Sequence, residues 1–84
     1  MTWAVSWTRP AERDMKRLDR DVQQQVLDAV NLFAETGQGD VKKIQGTTDE
    51  YRLRKRDWRV RFTYSLNDAA LIVLHVRHRR EVYR

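Results

Sequence analysis

Eighty-four residues provide for one small domain, spanning 1–84, and are too few for two independent cores. With no Cys and only two His, the chain excludes a disulfide scaffold, a thiol nucleophile and a Cys-type zinc site, and no metal is expected. The net charge of +5 is uneven: residues 1–50 hold seven Lys/Arg against nine Asp/Glu, and residues 51–84 hold ten against three.

Trp3, Val5 and Trp7 alternate along the opening stretch, the period of a strand with one buried face. Thr8 and Pro10 then suit the first turn of a helix, with Glu12 and Asp14 at the positive end of its dipole. Ala11, Met15 and Leu18 mark its buried stripe, and its end is expected near Asp19 or Arg20. A second helix is predicted from a capping box of Asp21 and Gln24. Its apolar face is Val22, Val26, Ala29, Val30 and Phe33, and Gly37 is its stop. Residues 36–50 hold all three glycines and are expected to be a loop, anchored by Val41 and Ile44.

The stretch Tyr51–Tyr64, YRLRKRDWRVRFTY, reads as a strand, a turn at Arg56-Asp57, and a second strand. Period-two alternation puts Leu53, Trp58, Val60, Phe62 and Tyr64 on an apolar face and Arg52, Arg54, Arg59 and Arg61 on the other. After the turn signal Asn67-Asp68, the apolar run Leu71–Val76 has the length of a central strand. The expected order is β-α-α-β-β-β: an α+β domain with an N-terminal helical hairpin packed on a largely antiparallel four-stranded sheet. No stretch approaches the ~18 apolar residues of a membrane span. No basic segment leads into an apolar run at the start. A cytoplasmic protein without a membrane partner is expected.

Nine of the ten cations after residue 50 are arginine, whose planar fork suits phosphate better than a lysine point charge. A polyanion partner follows, and nucleic acid is the first choice. Arginine stays protonated at neutral pH, so it can grip and neutralise a phosphate but not act as a base. His78, within Arg77-His78-Arg79-Arg80, is the group near the arginines able to take a proton. His75, inside the last strand, is assigned a packing role. Tyr83 can stack on a base or pin the C-terminus. There are no paired carboxylates, Ser/His/Asp set, phosphate-cradling glycine loop or metal-ligand spacing. One reaction still fits an arginine-lined site without a cofactor: attack of an RNA 2′-OH on its own adjacent phosphate, in which the substrate supplies the nucleophile.

Four separated motifs, Ile44-Gln-Gly46, Tyr51-Arg-Leu-Arg54, Asp57-Trp-Arg-Val60 and His78-Arg-Arg-Glu-Val-Tyr-Arg84, resemble the RelE branch of the RelE/ParE type II toxin superfamily. The resemblance covers nearly the whole chain. It implies a metal-independent endoribonuclease, an mRNA interferase that enters the ribosomal A site and cuts the bound codon by 2′-OH attack. Carried over by position, Arg52 and Arg54 fall on two basic strand residues that are lysines in the best-known member. Arg59 falls on an arginine that contacts the scissile phosphate, an arginine near the leaving group falls within Arg77–Arg80 with Arg79 the first choice, and Tyr83 falls on a terminal tyrosine that orients or stacks on the substrate. Arginine at 52 and 54 is a poor substitute for a lysine base, so His78 is expected to take that role, an assignment the resemblance itself does not supply. Lys55, Arg56, Arg61, Arg77 and Arg80 are the further RNA-binding candidates. The resemblance also implies a RelB-like antitoxin with an acidic, amphipathic helix that covers the basic surface. Two alternatives share this sequence pattern: a ParE-like DNA gyrase inhibitor without nuclease activity, and a non-catalytic nucleic-acid-binding module.

Overall fold

The hairpin expected over residues 51–64 forms, and the sheet extends from it on both sides. A computed structural model describes residues 2–46 and 49–82, with the backbone alone for Val82. β3 (Tyr51–Lys55) and β4 (Trp58–Ser65) pair antiparallel with Leu53 opposite Val60. Arg56 at the turn between them adopts a positive φ of 53°. β4 pairs antiparallel with β5 (Ala70–His78), and β5 pairs parallel with β1 (Ala4–Trp7). In the order β1-β5-β4-β3-β2, β5 lies inside the sheet, as its continuous apolar run implies.

Among the described residues the sheet has five strands, not four. The added one, β2 (Asp40–Lys43), lies in the segment expected to be a loop and pairs antiparallel with β3, Val41 facing Leu53. Its residues DVKK carry little strand propensity of their own. The pairing partner makes them a strand, and their charges suit an exposed edge.

Both helices form with shifted ends. α1 (Arg9–Lys16) begins at Thr8, whose Oγ1 accepts from Ala11 N at 3.3 Å, and it ends before Leu18. α2 (Arg20–Thr36) starts from Asp19 instead of Asp21, without a side-chain cap. The capping box does not form, because Gln24 donates to Asp28 Oδ1 at 2.8 Å, one turn on along the helix. Gly37 closes α2 at φ 77°, its N–H on the carbonyl of Phe33, a left-handed conformation that costs an L-residue about 1 kcal/mol. A short α3 (Arg79–Val82) follows β5 directly.

The two long helices cover one sheet face. Ala11 of α1 and Val26, Val30 and Ala34 of α2 are buried with Leu53, Val60, Phe62, Leu71, Val73 and Val76. Phe62 is the centre of this core, with ring centroids of Phe33, Tyr51 and Tyr64 at 5.5, 5.6 and 5.5 Å. Trp3 extends the aromatic cluster through Tyr64 at 4.6 Å. No helix among the described residues is long and apolar enough to cross a membrane. The other sheet face is left to the arginines.

Candidate functional site: an arginine cleft on the open sheet face

Residues opposite each other on neighbouring strands share a face. Arg52 stands opposite Arg61 and Arg54 opposite Arg59, so the four guanidinium groups project from the side away from the helices. Like charges placed directly across a ladder are destabilising, and carboxylates offset part of that cost. Asp40 on β2 pairs with Arg54 Nε at 2.7 Å. Glu50 faces Arg61, with Oε1 at 2.8 Å from Nε and Oε2 at 3.3 Å from Nη2. The Nε contact lies off the N–H direction and is ionic, not an aligned hydrogen bond. Arg52 and Arg59 have no carboxylate partner among the described residues. Arg59 is nonetheless held: its Nη1 donates to the carbonyls of Arg56 at 2.8 Å and Trp58 at 3.1 Å. Carbonyl anchors fix a guanidinium without cancelling its charge, which is preorganisation toward an anion.

β5 brings further groups to this face through a change of register. Phe62 pairs with Val73, but the preceding Arg61 pairs with His75, so Leu74 is an extra residue, a β-bulge. The bulge reverses the alternation. Leu71 and Val73 point to the core before it, Val76 after it, and His75 and Arg77 therefore join the arginines. Two side chains from the α1 region hold the bulge. Thr8 Oγ1 donates to the carbonyl of Leu74 at 3.1 Å, and Asp14 Oδ2 accepts from Val76 N at 2.9 Å. The same Asp14 oxygen lies 3.5 Å from Arg77 Nε and 3.7 Å from His75 Nδ1, and the Asp14 side chain is only 12% exposed.

Together these strands shape a cleft of about 350 Å³ lined by Ile44, Arg52, Arg59, Arg61, His75, Arg77 and Glu81. Four cations with an imidazole and one carboxylate can seat a phosphodiester and exchange a proton with it. Of the residues expected from sequence, Arg52, Arg59, Arg61 and Arg77 meet here. Arg54 shares the face but is paired to Asp40 at the rim. Arg79 begins α3 with its Nε 3.7 Å from Asp57 Oδ1. Lys55 lies opposite Trp58 and so on the apolar side, Arg56 occupies the hairpin turn, and Arg80 is exposed on α3. Tyr83 lies outside the described residues. His78 is opposite Trp58, with ring centroids 5.2 Å apart and edge-on, on the face away from the cleft. Its Nδ1 accepts from Arg80 N at 3.3 Å. His75, expected to pack, lines the cleft instead. Asp14 and Glu50 are also additions that sequence reasoning did not supply. The one available signal was the three-residue spacing of Val73 and Val76, which strict alternation cannot bury on one face.

An α+β sheet of this order with helices on one face is the fold of the RelE toxins. A mutant of Escherichia coli toxin RelE in the free state superposes with a TM-score of 0.80 at 20% identity, over 99% of this chain and 92% of that one. The toxin–antitoxin complex RelBE2 from Mycobacterium tuberculosis gives 0.80 at 18%, covering 93% and 92%. The archaeal RelE–RelB complex from Pyrococcus horikoshii gives 0.76 at 24%, covering 94% and 97%. No curated protein sequence matches the chain. The family model described as the ParE toxin of the type II toxin-antitoxin system, parDE, matches residues 5–83. The chain therefore belongs to this toxin family, within the RelE/ParE superfamily.

Proposed function

We propose that this type II toxin is a ribosome-dependent mRNA endoribonuclease of the RelE kind, cutting A-site codons by attack of the 2′-OH on the adjacent phosphate. The observation that carries this reading is the cleft itself. Arg52, Arg59, Arg61 and Arg77 converge there from three strands, beside His75 and Glu81, on the face opposite α1 and α2. In such a reaction the attacking oxygen belongs to the substrate, so the protein supplies orientation, charge neutralisation at the phosphorane and a proton path. Guanidinium groups perform the neutralisation without a metal. Arg59, fixed by two carbonyls, is assigned to the scissile phosphate, and Arg52 and Arg61 to its non-bridging oxygens. Arg54, Arg56, Arg79 and Arg80 are assigned to a basic rim along which a message strand is drawn in; Lys55, on the apolar side of the hairpin, is not part of it. Tyr83 is assigned to orienting the substrate, and the partner that restrains the toxin is a RelB-like antitoxin with an acidic, amphipathic helix. Solved relatives held by RelB support that partner.

The family description, a ParE toxin, favours a second reading, in which the arginine face binds DNA gyrase and cuts nothing. Induced expression with mapping of message 5′ ends across coding regions separates the two. Cuts inside translated codons, lost in Arg59→Ala, support the nuclease. Intact messages with trapped gyrase–DNA complexes overturn it.

A further inference from the structure

We infer that His75 is the general base of this cleft, switched on by the substrate through Arg77 and positioned by Asp14. The inference rests on the nuclease reading above and adds to it the group that takes the proton. His78 lies on the opposite face. Glu81 lines the cleft, but its Oε1 accepts from His78 N at 3.3 Å at the start of α3. His75 is the imidazole in the cleft, carried by the bulge at Leu74 from the core side to the arginine side.

The surroundings of the ring define the switch. Its Nδ1 faces a donor and an acceptor at once: Arg77 Nη2 at 3.3 Å and Asp14 Oδ2 at 3.7 Å. A guanidinium N–H can only donate. The contact with Arg77 needs the Nδ1 lone pair, which puts the ring proton on Nε2 and leaves Nε2 no lone pair with which to take another. A phosphate entering the cleft competes for Arg77 with two oxygens. Once Arg77 turns to the phosphate, the nearest partner left for Nδ1 is the shielded Asp14 carboxylate, which favours the Nδ1–H tautomer and frees the Nε2 lone pair. The charged groups around the ring are Asp14 from α1, Arg61 and Arg59 from β4, Arg52 from β3, Glu81 from α3 and Arg77 on its own strand.

The step then balances. His75 Nε2 takes the proton of the 2′-OH as the 2′ oxygen bonds to phosphorus. The bond from phosphorus to the 5′ oxygen breaks, leaving a 2′,3′-cyclic phosphate. The departing 5′ oxygen takes a proton from solvent, and the imidazolium returns its proton to solvent.

The test uses single-turnover cleavage of message in programmed ribosomes, together with nitrogen-15 spectra of the free toxin. His75→Gln should cut about 10²-fold more slowly with an unchanged unfolding midpoint. The same loss should persist on a message whose scissile 5′ bridging oxygen is sulfur, because a thiolate leaves without needing a proton. If sulfur erases the loss, His75 acts on the leaving group and the inference is overturned. Asp14→Asn keeps an acceptor for Val76 N but removes the charge behind Nδ1. It should lower the saturating single-turnover rate about tenfold or more and leave the half-saturating concentration unchanged; a rise in that concentration alone would show a binding role and count against it. Adding a 2′-deoxy oligonucleotide, which cannot be cut, should move the His75 ring proton from Nε2 to Nδ1, and an unmoved proton refutes the switch. A wild-type toxin that cuts with His75→Gln equally fast removes this inference alone, whereas a wild-type toxin that cuts no RNA removes the nuclease reading with it.

Discussion

Replacing Thr8 by valine tests how the bulge under the site is held, because it removes one hydroxyl and almost nothing else. That hydroxyl makes two contacts: it accepts from Ala11 N at 3.3 Å as the cap of α1, and it donates to the carbonyl of Leu74 at 3.1 Å. Losing a threonine cap costs about 1 kcal/mol, and a partly buried carbonyl left without its partner costs about 1 kcal/mol more. Thr8→Val should therefore lower the unfolding free energy by about 2 kcal/mol, roughly 10 °C in Tm for a chain of this size. Thr8→Ser keeps both hydrogen bonds and loses a methyl group, so it should cost under about 1 kcal/mol. Urea unfolding followed by tryptophan fluorescence measures both. Hydrogen exchange at Val76 N, whose bond to Asp14 lies two residues past the bulge, should speed up in Thr8→Val and not in Thr8→Ser. Equal stability of the two variants would refute the reasoning, since it would mean the bulge stands without the hydroxyl.

Other consequences can be measured on the same protein. Arg59→Ala should slow cleavage by about 10²-fold or more, while the unfolding midpoint holds or rises slightly, because a like-charge pair across from Arg54 is relieved; unaltered cleavage would place the phosphate elsewhere. Gly37→Ala forces an L-residue to φ 77° and should cost about 1 kcal/mol in urea unfolding, and a neutral result would mean α2 can end differently. Tyr64 has its phenol pKa raised above 10.0, first by burial and then by repulsion from Tyr51. The folded state thus prefers the protonated phenol, and its contribution to stability is whole below pH ~10 and lost as pH rises through the folded value. Ultraviolet titration should show one tyrosine ionising later than in Tyr64→Phe, and identical curves would count against that burial.

The hairpin was legible because its two strands carry opposite chemistry on alternate residues, so Arg52, Arg54, Arg59 and Arg61 could be placed on one face before any pairing was known. α2 was legible from its apolar stripe and Gly37. β2 was not, since DVKK becomes a strand only by pairing with Arg52–Leu53–Arg54 of β3, a tertiary cause with no local mark. The capping box at Asp21 and Gln24 failed because the helix already starts at Arg20, and Gln24 has a partner one turn along. The bulge at Leu74 was hidden for another reason. In Leu71–Val76 nearly every residue is apolar, and a run without alternation carries no record of where alternation slips. That one hidden residue exchanged the faces of His75 and His78, so the imidazole assigned by sequence and the imidazole in the cleft are different residues.

The same bulge bears on which branch of the superfamily this chain follows in chemistry. A sheet carrying arginines serves a toxin that binds a protein as well as one that cuts RNA, so the fold and the charge alone do not choose. A binding surface uses Asp14 and His75 to hold Arg77 in place, whereas a nuclease can also use the imidazole to exchange a proton. Holding Asp14 there carries a cost, because removing a carboxylate from water is unfavourable unless its partners compensate. Those partners are Val76 N and Arg77. A structural cap for the bulge needs only the first, and a neutral asparagine would serve it. The charge has a further use if His75 takes the proton proposed above, because a carboxylate behind Nδ1 favours the imidazolium that forms. The arrangement of α1, the bulge and β5 suits the proposed nuclease, and the mapping of message 5′ ends decides between it and gyrase binding.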